Sequence, residues 1–499
     1  MDQLVRERQP AVAVEETHPI IVIGCGFGGI ALAIELHKHG ITDFVMLERG
    51  NDIGGVWRDN TYPGAACDIV SRFYSFSSDR NRDWSRPFAP QAEIWDYAQE
   101  IVARHGIRRH VRFNTEVAEA VFDDKTGLWT LTTAAGGRYR TPVLVSAVGL
   151  FNRANIPNIP GRDNFKGVSF HSSNWNHAFP LEGKTVAVIG CGASAVQFLP
   201  EIAPRVAKLY SYQRSPQHVM PKAMMPGAGE WDAWLGKRKW LRGLARLKVH
   251  LMFERITLRR RRNPEMRLKG EEAFRALLER KVKDPELRKK LTPNYPMGCK
   301  RQLISDHWYE ALTRPNVEVI VSPIEKITPD GVVSDGVERK VDAIIYGTGF
   351  TPTAYLTPMR VKGLAGLDLK QAWRDGAEAY LGITVAGFPN FFMMYGPNTN
   401  ATTSIIFMLE CQARYIVSAI RTLRRKRARF MTVRADRQRA FNAELQERLA
   451  ATVWVRPDCF SYTKDENGKV TTNWPGYSTD YLWRTRAVKP GDFEFQGTA

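Results

Sequence analysis

The chain has 499 residues, 43% of them hydrophobic, a length that holds two or three domains with sizeable cores. It has no apolar run of about 18 residues, and its opening MDQLVRERQPAVAVEETHP carries acids where a secretory signal needs an apolar centre, so a cytoplasmic chain without a transmembrane helix is expected. The net charge of +19 is compatible with nucleic acid, an anionic membrane surface or an acidic partner, while six scattered cysteines without CxxC or metal-ligand spacing exclude a zinc site and read as reduced, structural thiols.

Residues 1–14 read as an N-terminal tail. The next segment, HPIIVIGCGFGGIALAIELHKHGITDFVMLERG, reads strand, glycine turn, helix, strand, with Ile20 to Ile23 as the buried strand and Gly40 closing the helix. Gly24, Gly26 and Gly29 form GxGxxG, which lets backbone N–H groups and a helix N-terminus approach a pyrophosphate. Glu48 ends the second strand, where a carboxylate accepts the hydroxyls of an adenosine ribose.

The same grammar returns at KTVAVIGCGASAVQFLPEIAPRVAKLYSYQRSP, with Gly190, Gly192 and Ala195 as GxGxxA. Here the position equivalent to Glu48 is Arg214. A carboxylate repels a 2′-phosphate and a guanidinium binds one, so the first site suits FAD and the second NADPH; the alternative is a surface arginine at a strand end. Two dinucleotide sites in one chain imply hydride transfer from NADPH to flavin.

Between 237 and 290 the chain carries 20 Lys or Arg and 7 Asp or Glu, including RRRR at 259–262. Without interleaved aromatics or a nucleic-acid motif, this reads as a solvated helical insert, and nucleic acid is not expected. Trp240, Leu241, Leu244, Leu247 and Leu251 recur at helical spacing, an apolar face expected to pack on the NADP domain. Weak contact of this basic helix with a membrane surface is the second reading. Further on, VDAIIYGTGF (341–350) reads as a buried strand with a Gly-x-Gly turn, and LGITVAGFPNFFMMYGPN precedes a long helical pattern, SIIFMLECQARYIVSAIRTLRRK; both segments return to close the FAD domain.

Three further motifs carry a family resemblance. Phe165, Gly167, His171 and Trp175 form FxGxxxHxxxW just before the second glycine turn; GGVWRDNTYPGAACD (54–68) matches GGxWxxxxYPGxxxD; GCKRQLISDHWYEAL holds a Lys300–Arg301 pair. In that order, over about residues 18 to 486, they resemble type I Baeyer–Villiger monooxygenases. Asn176 and Tyr462 depart from the family pattern, Tyr462 standing where relatives have Trp, and PNTNATTSIIF lacks the small and His residues expected after the first Asn pair.

The resemblance implies an α/β fold with two Rossmann-like dinucleotide-binding domains and a helical insert. FAD would be held by 15–150 with 380–499, NADP by 151–218 with 295–379, and the insert would span 219–294. It further implies an NADPH-dependent flavin monooxygenase that inserts one oxygen atom of O2 next to a ketone carbonyl, through a C4a-peroxyflavin, to give an ester or lactone. Arg301 would be the permanent charge beside the peroxide, with Asp68 fixing it. Lys300 would join Arg214 on the 2′-phosphate with Ser215 or Gln213 beside them, and Trp57, Asp68, Ser194, Gly349 and Asn398 would complete the cofactor contacts. The fingerprint would sit on the linker between domains, His171 hydrogen-bonding across it. An N- or S-oxygenating flavin monooxygenase and a non-oxygenating FAD/NADPH redox protein share both nucleotide sites; a flavin disulfide reductase would need a nearby cysteine pair.

Overall fold

Short β-branched runs flanked by glycine make the two central sheets. The computed structural model describes residues 15–80, 82–229, 234, 238–262 and 265–498; the tail expected over 1–14 lies outside them. Strands Phe391–Met393, Leu144–Ser146, Ile21–Ile23, Val45–Leu47 and Val111–Arg112 stand side by side in that order, all parallel. Val22 and Met46 enter the core on one face, and Ile21, Ile23, Val45 and Leu47 the core on the other. The central strands Ile21–Ile23 and Val45–Leu47 are apolar throughout because parallel sheets are covered on both sides. The Phe27–Lys38 and Ile405–Lys426 helices pack together over one face.

The second sheet is again parallel, in the order Val317–Ile320, Lys208–Tyr212, Thr185–Ile189, Ala343–Tyr346, Val168–His171. The VDAIIYGTGF strand therefore belongs here, and of the two returning segments only Phe391–Met393 completes the first sheet. The α/β architecture with two parallel dinucleotide-type sheets is as read from the sequence.

Two assignments are corrected. Arg360–Lys362, expected in the second unit, pairs in parallel with Val117–Asp123, at the edge of a sheet in the first, and Val361 and Leu369 are buried in the first unit's core. Pairing across so many residues leaves no local trace in the chain. The insert does not pack as one body on the second unit either. Its Arg242–Arg262 helix buries Val249 and Phe253 in the first unit's core, whereas Glu265–Lys281 buries Phe274, Leu277 and Leu278 in the second's.

The apolar face predicted for that first helix also points the other way. Leu241 is 9% exposed, but Trp240 is 79%, Leu244 61%, Leu247 51% and Leu251 56%. Ala245, Val249 and Phe253 fill the buried side, which shows that periodicity reveals which residues share a face but not which face finds a neighbour. Among the described residues no helix is long and apolar enough to cross a membrane.

Phe253 stacks on Phe73 with centroids 5.6 Å apart. Phe253→Ala should lower the stability of the folded chain by about 3–5 kcal/mol, read as a lower urea midpoint; an unchanged midpoint would contradict the docking of this helix on the first unit.

Candidate functional site

The carboxyl ends of both parallel sheets open onto one cavity of about 1690 Å³, larger than the roughly 300–1,000 Å³ of an ordinary small-molecule pocket. Residues following strands of the first sheet (Gly24, Glu48, Ala147) and of the second (Gly190, Gln213, Gly347) line it.

In the first glycine turn Gly24 has φ +100°, and a Cβ there would stand 2.7 Å from the Ala147 carbonyl oxygen. Gly29 does not reach the cavity; a Cβ on it would lie 2.2 Å from the Gly24 oxygen, so its role is to seat the helix against the strand. The second turn repeats this, with Gly190 at φ +107° and its Cβ position 2.4 Å from the Gly347 oxygen, while Ala195 is fully buried behind. Gly192 and Ser194 line the cavity. Both helices start at a glycine, Gly26 or Gly192, with no side-chain cap, so their first N–H groups are left for another acceptor. A pyrophosphate fits each cradle.

Glu48 is 5% exposed. Its carboxylate accepts the N–H groups of Cys25 and Gly50, both at 2.8 Å, and Arg58 at 3.0 Å, which fixes it at the end of its strand. At the equivalent place Arg214 is exposed to the cavity, and no carboxylate pairs with it among the described residues. Lys300 is its like-charged neighbour: burial lowers the Lys300 pKa below an ordinary lysine's 10.5, and Arg214 lowers it further. The ammonium lies over the Tyr295 ring at 4.3 Å. Two neighbouring cations without a carboxylate partner could hold a phosphate. Ser215 lines the same wall.

Arg301, next in sequence, turns into the middle of the cavity, where its Nη2 donates to Asp68 Oδ1 at 2.8 Å across the two units. Asp68 raises the Arg301 pKa above its already high ordinary value, and the side chain keeps 42% of its surface open. It is thus a fixed charge with room for a second acceptor. Asp68 follows the YPG segment, and that segment is tied to the second unit: the Tyr62 hydroxyl donates to Gln197 at 3.0 Å, and Gln197 donates to the Ala66 carbonyl at 3.0 Å. Burial pushes the Tyr62 phenol up to about 12. Trp57 lines the cavity and donates from its indole to the Tyr74 hydroxyl at 2.9 Å. Gly349, at φ +78°, lies on the turn at the opposite wall.

The fingerprint residues do not reach the cavity, and they are not on a free linker. Val168–His171 is the edge strand of the second sheet. A Cβ on Gly167 would meet the Phe165 ring at 2.5 Å and the Asp342 carbonyl oxygen at 2.6 Å, so the glycine lets Phe165 fold against the sheet. Trp175 is 8% exposed, packed on Phe198 and Phe170. His171 is buried and bonds to Ser173 of its own loop; burial lowers its pKa against a hydrogen bond with the Gly349 backbone, and its ring edges against Phe350 of the same turn at 5.7 Å. Asn398 is likewise displaced from the expected role. It lies outside the cavity, its amide donating to the carbonyls of Val470 and Asn473 at 2.9 and 3.0 Å, and so anchors the C-terminal segment.

Sequence reasoning missed Tyr395, which lines the cavity with Arg301 and Tyr462, within their electrostatic reach, and donates to Asn400 Oδ1 at 3.0 Å. Burial pushes its phenol up against the pull of Arg301, which keeps it a neutral donor. Its place before a Gly-Pro turn is the one signal that could have marked it. The cysteine reading is also corrected. Cys299 and Cys459 form a disulfide across 160 residues, joining the segment that carries Lys300 and Arg301 to the one that carries Tyr462. Scattered spacing concealed it because folding alone brings the pair together. The other four cysteines are buried, and burial pushes the Cys191 thiol up to about 11.

Residues 21–223 match the family model described as pyridine nucleotide-disulphide oxidoreductase. A Baeyer-Villiger monooxygenase of Pseudomonas aeruginosa is 39% identical over 489 residues, 97% of this chain and 92% of the relative; one from Streptomyces coelicolor is 39% identical over 488, 96% and 93%. Among solved structures, closed cyclohexanone monooxygenase superposes with a TM-score of 0.86 at 29% identity, covering 97% of this chain and all of that one. Oxidized steroid monooxygenase bound to NADP gives 0.85 at 26%, covering 96% and 99%. The OTEMO complex with FAD and NADP gives 0.86 at 26%, covering the same shares.

The disulfide closes a long loop, so Cys459→Ser should cost about 2–5 kcal/mol of stability, seen as a lower melting temperature that reductant reproduces in the parent chain. Equal melting with and without reductant, with free thiols confirmed by mass, would contradict a structural bridge here.

Proposed function

This chain belongs to the family of Baeyer–Villiger monooxygenases, and on that footing we propose how its own residues serve the reaction. It is an NADPH-dependent flavin monooxygenase whose small-molecule substrate is a ketone, converted with O2 to an ester or lactone. FAD, when bound, activates O2 after NADPH has supplied a hydride, and the difficult chemistry is the cofactor's. The observation that carries the residue assignment is the Arg301–Asp68 pair, drawn from two units and open to the cavity.

The first cradle, Gly24 with Gly26, takes the FAD pyrophosphate, and Glu48 accepts the ribose hydroxyls with the lone pairs that Cys25, Gly50 and Arg58 leave. Trp57 covers the same wall. Gly190, Gly192 and Ser194 receive the NADPH pyrophosphate, and Arg214, Lys300 and Ser215 its 2′-phosphate. Arg301 stabilises the negative charge that gathers on oxygen as the carbonyl carbon is attacked. A guanidinium holds its proton throughout, so it screens that charge without neutralising it by transfer. Asp68 positions the guanidinium. The neutral Tyr395 phenol is placed to keep water from the charge, while Phe165, Gly167, His171 and Trp175 hold the edge of the second sheet against the Gly349 turn.

Activity is tested with FAD-loaded protein, NADPH and a panel of cyclic and aryl ketones under 18O2. One labelled atom in an ester or lactone is the expected result; unlabelled ketone recovered beside an N- or S-oxide from amine or thioether competitors would replace this reading. Arg301→Ala should lower ester formation about 10²–10³-fold, the size seen when one oxyanion donor is lost, while NADPH binding persists.

Arg214→Ala should raise KM for NADPH about 10- to 100-fold, from ~1.5–3 kcal/mol per charged hydrogen bond, and leave KM for NADH unchanged; equal effects on both would remove Arg214 from the phosphate. Because the Lys300 pKa lies below that of an ordinary lysine, its charge is full at low pH and is lost on raising the pH earlier than for a free lysine. KM for NADPH should therefore climb on the alkaline side starting below pH 10.5, and Lys300→Arg should flatten the climb.

A further inference from the structure

The Arg242–Arg262 helix is apolar on the side that faces solvent. Leu244, Leu247 and Leu251 share this side, Trp240 of the preceding 3₁₀ turn Lys239–Leu241 continues it at a spacing of four, and all four are more than half exposed. Over about 1.5 Å per residue they make a convex ridge roughly 16 Å long. Met252 stands beside it at 36%. No element of the fold covers the ridge among the described residues, and neither the nucleotide cradles nor Arg301 uses it.

The charge around the ridge is one-sided. Between 237 and 262 the sequence has eleven Lys or Arg and one acid, Glu254. That acid is turned inward, accepting the Ser478 N–H at 2.8 Å and the Thr479 hydroxyl at 3.3 Å. Two cations are engaged: the buried Arg242 pairs with Asp83, an exposed acid of the first unit that it neutralises, and Arg246 bonds to Ser75 at 3.2 Å. Lys239 and Arg255 remain exposed at either end of the ridge, and Arg238 stacks on the Trp234 ring at 3.6 Å.

We infer that this ridge is a docking surface for an anionic lipid bilayer. A convex line of Trp and Leu flanked by cations, on a helix that turns no acid outward, has the form of a helix that lies in the headgroup region, its apolar side chains reaching the acyl boundary and its long cations bonding to phosphates. A second copy of the chain is the poorer occupant. Two such ridges packed face to face would bring Lys239 and Arg255 of one against the same cations of the other, with no exposed acid on the helix to relieve them. The inference is independent of the reaction in the cavity.

The test is co-sedimentation of the FAD-loaded full chain with two kinds of vesicle at low salt, phosphatidylcholine alone and phosphatidylcholine with about one third phosphatidylglycerol. Binding about tenfold greater to the anionic vesicles, reduced by high salt, is expected. The triple variant Leu244→Glu, Leu247→Glu, Leu251→Glu, altered only at exposed positions, should stay in the supernatant while oxidising NADPH at the parent rate. Parent protein that remains in the supernatant, or a triple variant that binds as well as the parent, would overturn the inference. So would a dimer in gel filtration that the triple variant dissociates, in protein that ignores both vesicles; the ridge would then be a self-association surface.

Discussion

A guanidinium inside a protein cavity needs a partner, because several kcal/mol of lost hydration must be offset by charge and hydrogen bonds. Arg301 finds that partner in Asp68, 233 residues away and on the other unit. The requirement sets much of the surrounding structure. Asp68 must be held at a fixed height over the second unit, and the YPG segment is fixed there by Tyr62, Gln197 and Ala66. Arg301 must be held in the cavity, and the Cys299–Cys459 bridge with the Lys300–Tyr295 contact does this from the preceding two residues. The pair is a joint between units and the site's fixed charge at once.

The two glycine turns solve a different problem, leaving uncapped backbone N–H groups facing the cavity, where the proposed reading puts phosphate. Gly24 and Gly190 have nearly the same positive φ, and each abuts a carbonyl oxygen of the neighbouring crossover, Ala147 or Gly347. A side chain at either place would push the turn out of the cavity. The difference between the cradles lies one strand further on, where Glu48 is held by three donors and Arg214 stands open beside Lys300. On the proposed reading one accepts hydroxyls and the other an anion, from the same backbone plan.

What could be read in the sequence was what is local or strongly patterned. Strand, turn, helix and strand follow one another within about thirty residues at each nucleotide motif, and the residue closing the second strand declares its charge. Arg301 and Asp68 were reached through motif resemblance, since nothing in their spacing indicates contact. Longer-range features escaped: the pairing of Arg360–Lys362 with Val117–Asp123, the Cys299–Cys459 bridge, and the turn of Asn398 away from the cavity. The Trp240–Leu251 ridge is the clearest case. Helical spacing grouped its residues correctly, but the same helix carries a second, shorter apolar line, Ala245, Val249 and Phe253, and that one met the core. The fingerprint illustrates the reverse, since its spacing is real and its residues pack an edge strand.

The central claim, that Asp68 acts on the reaction through Arg301, is tested most directly by a double-mutant cycle. Asp68→Ala, Arg301→Ala and the double variant would be compared for the rate of ester formation and for the fraction of NADPH that yields ester rather than hydrogen peroxide. If Asp68 works by positioning the guanidinium, its removal costs activity in the parent and almost nothing once Arg301 is gone, a coupling of about 1–3 kcal/mol. Additive losses would show that the two residues act separately, and the account of the joint between the units would fail.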